Sequence, residues 1–468
     1  MDKIKILESN SDRVTEASKK IRSFLSGLLD EKSLIETDIF LAGTNFLDGT
    51  DALGEGVITG YASIDGIPVY LFAQNSELLS GSLGKAHADK IAKNIYAADK
   101  AGIPFISIID SAGARIGEGI SVSEGYAKII KAANDISGSV PHIAVVKGNC
   151  VGMMSVFADT ADFVFADEKA KLSVASPLVA AASSKTSADA LSAKKIAEKT
   201  NGISFLYKTA QELKDNLSGL LALLPSAGYI ASDDYTDDIN RETPTLNEAA
   251  DAESLFKAVI DDAKYTEVYA DYAREVKCVL GKIAGITAAF IAFDPKVNKF
   301  VTADGLKKAS KFIYTVSAFD IPLVNFVDCK GIEPSVESEY GGVAGAASAL
   351  LSNIAISENI KISVITGNAI GYAYSAFAAK ELGYNYVFAT VDSVISPVNP
   401  ETATVLFYDE ELKKAADPIK KREELNKKYA EESANPYIAA KNGYVDNIIE
   451  PALIRPYLAS VLLMLTNQ

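Results

Sequence analysis

Short apolar runs alternate with longer amphipathic ones along most of this chain. Phe105 to Ile109 is apolar but for Ser107 between Pro104 and Asp110, too short for a helix, and reads as a buried strand. Lys85 to Ala101 has apolar positions at helical spacing and stops at Gly102, which predicts an amphipathic helix with a glycine end. Val122 to Ile136 predicts a second helix, Ile143 to Val146 a strand, and Val151 to Thr160 a further helix. Upstream, Gly54 to Gln74 alternates in polarity around Asp65-Gly66, as two strands joined by a tight turn would. Residues 1 to about 50 read as a helical lead-in, with helix-like spacing from Arg22 to Asp30. Strands alternating with helices of this length predict βα units and an α/β fold.

The pattern occurs twice. Ile103-Pro104 and the run ending in Asp110 are answered by Ile321-Pro322 and a run ending in Asp328, displaced by 218 positions. Gly148-Asn149-Cys150-Val151-Gly152 is answered by Gly367-Asn368-Ala369-Ile370-Gly371, displaced by 219. Ser173-Val174-Ala175-Ser176-Pro177 pairs with Ser393-Val394-Ile395-Ser396-Pro397 at 220. In the second copy, Ala303 to Ser317 predicts a helix, Gly341 to Gly345 is glycine-rich, Ile362 to Ile365 predicts a strand, and a helix follows Gly371. Glu410 to Glu432 reads as one highly charged, solvated helix, and Leu458 to Leu465 as a terminal packing helix. Residues 226–250 shift to Ser, Asp, Thr, Asn and Pro and read as a linker, which divides the chain into domains 1–235 and 250–468.

Composition narrows the function. The net charge of −15 makes nucleic acid and anionic membrane surfaces poor partners. Cys150, Cys278 and Cys329 are scattered, which fits a reducing cytoplasm rather than a disulfide framework. The start, Met1-Asp2-Lys3-Ile4-Lys5, lacks the apolar core of a signal peptide. No run approaches the ~20 apolar residues of a membrane span. A cytoplasmic protein is expected.

Side-chain chemistry has few candidates. His87 and His142 are the only histidines, and both read as packed or surface residues rather than as parts of a Ser-His-Asp set. HExxH, Walker, EF-hand and strand-linked GxGxxG patterns are absent. What remains is backbone chemistry at two strand-to-helix turns, Asp110 to Gly119 and Gly148 to Met153. Small residues let a ligand oxygen approach main-chain N–H groups, and two converging N–H groups make an oxyanion hole. Such a hole suits a reaction passing through a thioester enolate. The duplication suggests two sites of similar physics, one per reactant.

The strings that carry these turns resemble those of the carboxyltransferase subunits of biotin-dependent acyl-CoA carboxylases and decarboxylases, the propionyl-CoA carboxylase β and methylmalonyl-CoA decarboxylase α type. The chain has GSLG at 81–84, DSAGARIGEG at 110–119, GNCVGM at 148–153 and DIPLVNFVDCKGIEP at 320–334. It continues with EYGG at 339–342, VITGNAIGYAY at 364–374 and NPYIAAKNGYVDNII at 435–449. These follow the family's order from about residue 20 to the C-terminus.

The resemblance implies tandem crotonase-like ββα superhelix domains in a head-to-tail dimer, commonly assembled as a trimer of dimers. It implies an N-terminal half that takes acyl-CoA and a C-terminal half that takes biotin. Neither a biotinylation motif nor an ATP-grasp glycine loop is present, so biotin would arrive on a biotin carboxyl carrier protein. The further partners implied are a biotin carboxylase or membrane decarboxylase subunits. By residue matching, the thioester donors fall at Ala112-Gly113 and Gly152-Met153, and the biotin-side donors at Ser335-Val336 and Gly371-Tyr372. Ser111, Ala114, Arg115 and Glu337 match substrate-binding positions, Glu337 in the acyl pocket. No metal is implied. Met153 and Tyr372 replace family glycines and are expected to narrow the two approaches. The expected reaction is carboxyl transfer between carboxybiotin and a short acyl-CoA. The alternatives are the α subunit of a sodium-pumping decarboxylase for methylmalonyl-CoA or glutaconyl-CoA, and a catalytically weakened structural or CoA-binding subunit.

Overall fold

The computed structural model describes residues 3–44, 49, 51–225, 237–247 and 251–466. The chain forms two compact units, Met1–Ala231 and Ser232–Gln468. The first is built on strands β1 (Ile35–Thr37), β2 (Val57–Ile64), β3 (Ile67–Gln74), β4 (Phe105–Ser111), β5 (His142–Val151), β6 (Phe163–Asp167), β7 (Lys171–Ser173) and β8 (Phe205–Tyr207). Their order is β1-β2-β3-β4-β5-β6-β8, with β7 added to β5. The β1–β2 and β2–β3 pairings are antiparallel and the rest parallel.

The second unit repeats this plan. Its strands are β9 (Tyr265–Val268), β10 (Val276–Ile283), β11 (Ile286–Phe293), β12 (Leu323–Cys329), β13 (Lys361–Ile370), β14 (Tyr386–Thr390), β15 (Val394–Ser396) and β16 (Asn447–Ile449). The order is β9-β10-β11-β12-β13-β14-β16, with β15 on β13.

Local chemistry explains the elements. The β2–β3 turn places Asp65 and Gly66 at positive φ, as a tight hairpin requires. Asp30 accepts both turn N–H groups, at 2.9 Å each. Asp261 does the same for Ala284 and Gly285 at the β10–β11 turn. The Lys85–Ala101 helix ends where Gly102 turns left-handed at φ 64°. It buries Ala88, Ile91, Ala92, Ile95 and Ala98 against the first sheet. Lys90 is buried on the same helix, and its Nζ donates to Val57 O at 2.6 Å. Lys308 repeats this from the Ala303–Ala318 helix, donating to Tyr272 O at 2.8 Å.

Several boundaries differ from those read in the sequence. The strand through Ile143 runs on to Val151, so the next helix is only Met153–Asp159. The charged stretch at 410–432 is two helices, Pro400–Lys414 and Pro418–Ser433. Asp417 breaks the run by accepting N–H bonds from Ile419 and Lys420, and Pro418 starts the second helix. The lead-in forms two helices, Lys3–Ala17 and Lys19–Leu28. Of the segment read as linker, 226–236 and 248–250 lie outside the described residues. Residues 237–247 pack on the second unit, with Leu246 buried and Thr243 N donating to Ala452 O.

The third sequence match was also out of register. Gly152 N donates to Ser173 O at 2.9 Å, and Gly371 N to Ser396 O at 2.8 Å. Ser173 therefore corresponds to Ser396, and Pro177, first in its helix, to Pro400. The slip arises because the second copy is four residues longer before β14, around the Lys380–Leu382 turn.

One device shapes both units. Between Ile109 and Ser111 the partner strand advances from Val146 to Cys150, and between Val327 and Cys329 it advances from Ile365 to Ala369. These are β-bulges, and an aspartate faces each one. Asp110 accepts Asn149 N–H at 3.0 Å, and Asp328 accepts Asn368 N–H at 2.8 Å. A Cβ at Gly148 or Gly367 would overlap the facing carboxylate. Gly148→Ala and Gly367→Ala should therefore each lower stability by about 1–3 kcal/mol in urea unfolding. In an Asp110→Ala background, Gly148→Ala should do much less harm. Additive losses would show that the two residues do not share one constraint.

Candidate active site

The bulges bring two backbone turns together in each unit. Gly113 has φ 106° and Gly152 φ 69°. A Cβ on Gly152 would lie 4.0 Å from Gly113 Cα, and one on Gly113 would lie 3.4 Å from Val151 O. Of the four N–H donors expected here, three are already engaged. Ala112 N donates to Ser80 O at 3.0 Å, Gly113 N to Ser111 Oγ at 3.1 Å, and Gly152 N to Ser173 O. Met153 is the first residue of its helix, where an N–H has no intrahelical partner. Beside it, Ala114 lies on an isolated bridge in which Gly113 O and Arg115 N bond Leu83, leaving its own N–H unclaimed among the described residues. The donor pair on the abutting turns is thus Ala114 and Met153.

The second unit has the same geometry with a different sequence. Gly331 at φ 98° is the counterpart of Gly113, and its Cβ would meet Ile370 O at 3.2 Å. Val301 N donates to Gly331 O and Glu333 N to Val301 O, as Leu83 and Arg115 do in the first unit. The unclaimed N–H groups are therefore Ile332 and Tyr372, with Gly371 N engaged by Ser396 O. Ser335-Val336 lies further along. Ser335 N donates to Glu333 O, and its side chain caps the Val336–Tyr340 helix. The spacing Asp110-x-x-Gly113 against Asp328-x-x-Gly331 carried this correspondence in the sequence.

Each unit has a cavity next to the strand that accepts the glycine N–H, Ser173 lining one and Ser396 the other. The first, about 460 Å³, is lined by Ser155, Asp159, Leu172, Ser173, Val174 and Asn201 among others. The second, about 530 Å³, is lined by Gly371, Tyr374, Ser396, Pro397, Ile438 and Tyr444 among others. Ser173 and Ser396 occupy the same place in the two. Tyr372 does not line the second cavity, contrary to the expected narrowing, because its hydroxyl is tied to Ala347 O at 2.7 Å. Met153 is partly exposed at the first turn.

Other expected residues fall elsewhere. Ser111 is buried and serves Gly113. Arg115, matched to a substrate position, is buried and its guanidinium bonds only protein groups: Glu55, Ser82 and Glu118. Glu337 is exposed near the start of its helix in the second unit.

Side-chain nucleophiles find no support. Ser107 Oγ lies 2.7 Å from His142 Nε2, but Asp162 binds the His142 main-chain N–H rather than the ring. All three are buried, and the ring packs between Phe105 and Phe157. The three thiols are buried and unpaired, and burial pushes Cys278 and Cys329 up to about 12. No group of His, Cys, Asp and Glu among the described residues could hold a metal ion.

Residues 14–468 match the carboxyl transferase domain family. The chain belongs to that family. It is 31% identical to the methylmalonyl-CoA decarboxylase α subunit of Propionigenium modestum, over 96% of this chain and 90% of that one. It is 30% identical, with the same coverage, to the propionyl-CoA carboxylase carboxyltransferase subunit of Haloferax mediterranei. The solved transcarboxylase 12S, a hexamer with methylmalonyl-CoA bound, superposes with a TM-score of 0.92 at 28% identity, covering 99% of this chain and 95% of that one. The carboxyltransferase fold here is accordingly a tandem of crotonase-like domains.

The two histidines of this carboxyltransferase mark its acid limit. Loss of hydration pushes His87 and His142 down to about 3, so both are neutral in the fold. The unfolded chain protonates them below about 6.5. Their contribution is therefore complete above about pH 6.5 and is lost as pH falls toward 3, by up to about 1.4 kcal/mol per pH unit for each. His142→Gln should lose less of its thermal midpoint than the parent between pH 7 and pH 5. An equal loss would assign acid sensitivity to other groups.

Proposed function

We propose that this chain moves a carboxyl group between biotin, delivered on a separate carrier protein, and the α-carbon of a short acyl-CoA. The carrying observation is the duplicated site: two N–H groups unclaimed among the described residues on abutting turns, once in each unit. The first unit takes the acyl-CoA and the second the biotin. The second cavity offers apolar walls at Ile438 and Pro397, with Gly371 on its lining, and the N–H of the next residue, Tyr372, is unclaimed among the described residues. When bound there, biotin supplies or receives the carboxyl group.

The chain's own part is electrostatic. Ala114 and Met153 N–H hold the thioester oxygen as negative charge builds on it. Fixed dipoles need no reorganisation at that moment, so they favour the enolate over the ground-state thioester. That enolate is common to carboxylation and decarboxylation, so one site serves either direction. Ile332 and Tyr372 N–H do the same for the biotin carbonyl.

Partners follow from this reading: a biotin carboxyl carrier protein, then either a biotin carboxylase or membrane decarboxylase subunits, with the chain itself a dimer or trimer of dimers in the cytoplasm. The decarboxylase setting is favoured by relatives such as the methylmalonyl-CoA decarboxylase α subunit of Veillonella parvula, at 33% identity. No helix among the described residues is long and apolar enough to cross a membrane.

Proline removes a main-chain N–H and is tolerated at the first position of a helix. Met153→Pro should therefore lose about 10²–10³-fold in carboxyl transfer from methylmalonyl-CoA to free biotin. Met153→Ala keeps the N–H and should keep activity within about threefold, since it removes no oxyanion donor. If labelled carboxyl reaches biotin equally well with Met153→Pro, the donor assignment is wrong. If the parent chain transfers no label from any malonyl-type CoA thioester, the functional reading itself fails.

A further inference from the structure

Arg115 is fully buried, 2% exposed, on the residue after the Ala114 donor. Its Nη1 bonds Glu55 Oε2 at 2.7 Å and Glu118 Oε1 at 3.0 Å. Its Nη2 reaches Glu55 O at 3.2 Å and Ser82 O at 3.3 Å. Glu118 Oε2 accepts Lys85 N–H at 2.7 Å, at the start of the Lys85–Ala101 helix. Glu55 sits at φ 59°, and His87 Nδ1–H donates to its carbonyl oxygen at 2.7 Å. Nothing larger than glycine fits at residue 84, where a Cβ would lie 2.7 Å from Arg115 Nη1.

This cluster is confined to one unit. The strand register equates Glu55 with Arg274, which pairs Asp271 at the surface, and the spacing that equates Gly113 with Gly331 puts Thr302, Glu333 and Val336 at the positions of Gly84, Arg115 and Glu118. The backbone geometry is duplicated, but the ions are not. Burying the Arg115–Glu55 pair is a poor route to stability, because well-packed apolar residues of similar volume often do as well or better. What the guanidinium adds is a rigid fork with several fixed bonds. It ties the segment 112–120 to the Glu55 turn and to the helix start. The far side of that segment is open, with Ile116 at 85% and Ile120 at 82% exposure.

We propose that Arg115 is a positioning residue of the acyl-CoA side alone: the Glu55–Arg115–Glu118 cluster sets the Ala114 N–H against Met153 N–H. The proposal rests on the acyl-CoA assignment given above for the first unit. It makes the two halves of the site separable by mutation. Arg115→Lys keeps the charge but loses the fork. It should lower kcat/KM for the acyl-CoA by about 10²-fold, as a small displacement of a catalytic group does, while KM for free biotin stays unchanged. Glu118→Gln, a partly exposed and milder change, should show the same split with a smaller loss. In both variants, hydrogen exchange should quicken at 112–120 and stay as in the parent at 329–340.

A folded Arg115→Lys protein with unchanged acyl-CoA kinetics would overturn the proposal. So would an equal loss on the acyl-CoA and biotin sides, which a general loss of structure would give. If Arg115→Lys does not fold, Glu118→Gln decides by the same split. An inactive parent chain would sink the functional reading. The exchange pattern would then still judge the positioning role: quickening confined to 112–120 sustains it, and none there overturns it.

Discussion

In each unit a carboxylate at the tip of one parallel strand grips the main chain where the next strand bulges. Asp110 holds Asn149 and Asp328 holds Asn368. A bond from a carboxylate to a main-chain N–H is among the stronger hydrogen bonds, worth about 1.5–3 kcal/mol net. Its larger effect is geometric. With the bulge fixed, β5 and β13 deliver their glycines, Gly152 and Gly371, to the side of Gly113 and Gly331. The donor pairs and the need for glycine at 148 and 367 both follow from that contact.

The duplicated frame makes divergence readable. The two units share the sheet order, the aspartate-held hairpins, the buried lysines and the bulge lock. They differ in what surrounds the donors. The first cavity carries Asp159 and Asn201, the second Tyr374, Ile438 and Tyr444. The first donor loop is clamped by buried ions, whereas the second has apolar and oppositely charged residues at those places. One backbone frame thus carries two different sets of surrounding side chains, as the proposed division between acyl-CoA and biotin requires.

Much of this was legible in the sequence, for identifiable reasons. The Lys85–Ala101 helix and the turn at Asp65-Gly66 were read correctly because local signals, a left-handed glycine and a two-residue hairpin, set them. The motif-borne resemblance gave the family and the fold. Strings at constant spacing gave the repeat, but spacing failed across the four-residue insertion before β14. That the Ala112 and Gly113 N–H groups have protein acceptors was not legible, because an N–H has no sequence signature of being engaged. Only the coordinates reveal that Ser80 O and Ser111 Oγ hold those two. The ion pair of Arg115 was hidden for a related reason. An arginine in a glycine-rich turn looks like an anion ligand until Glu55, sixty residues upstream, is seen to occupy it.

The replaced glycines acquire a different meaning in this light. A site made of main-chain N–H groups survives any substitution that keeps the backbone path and is not proline. Gly152 and Gly371 keep positive φ, at 69° and 53°, and both are retained as glycine. The residues that follow them, Met153 and Tyr372, begin helices and need no such freedom. Tyr372 uses its side chain to bond Ala347 O and stays out of the cavity lining. Met153 remains partly exposed beside the Ala114 donor, so its thioether can border the thioester's own surroundings. The departure from the family strings therefore falls on the walls of the first site and on a structural tie in the second. The main-chain N–H groups proposed to hold oxygen are present in both. Chemistry carried by the backbone leaves side chains free to change the substrate without changing the reaction.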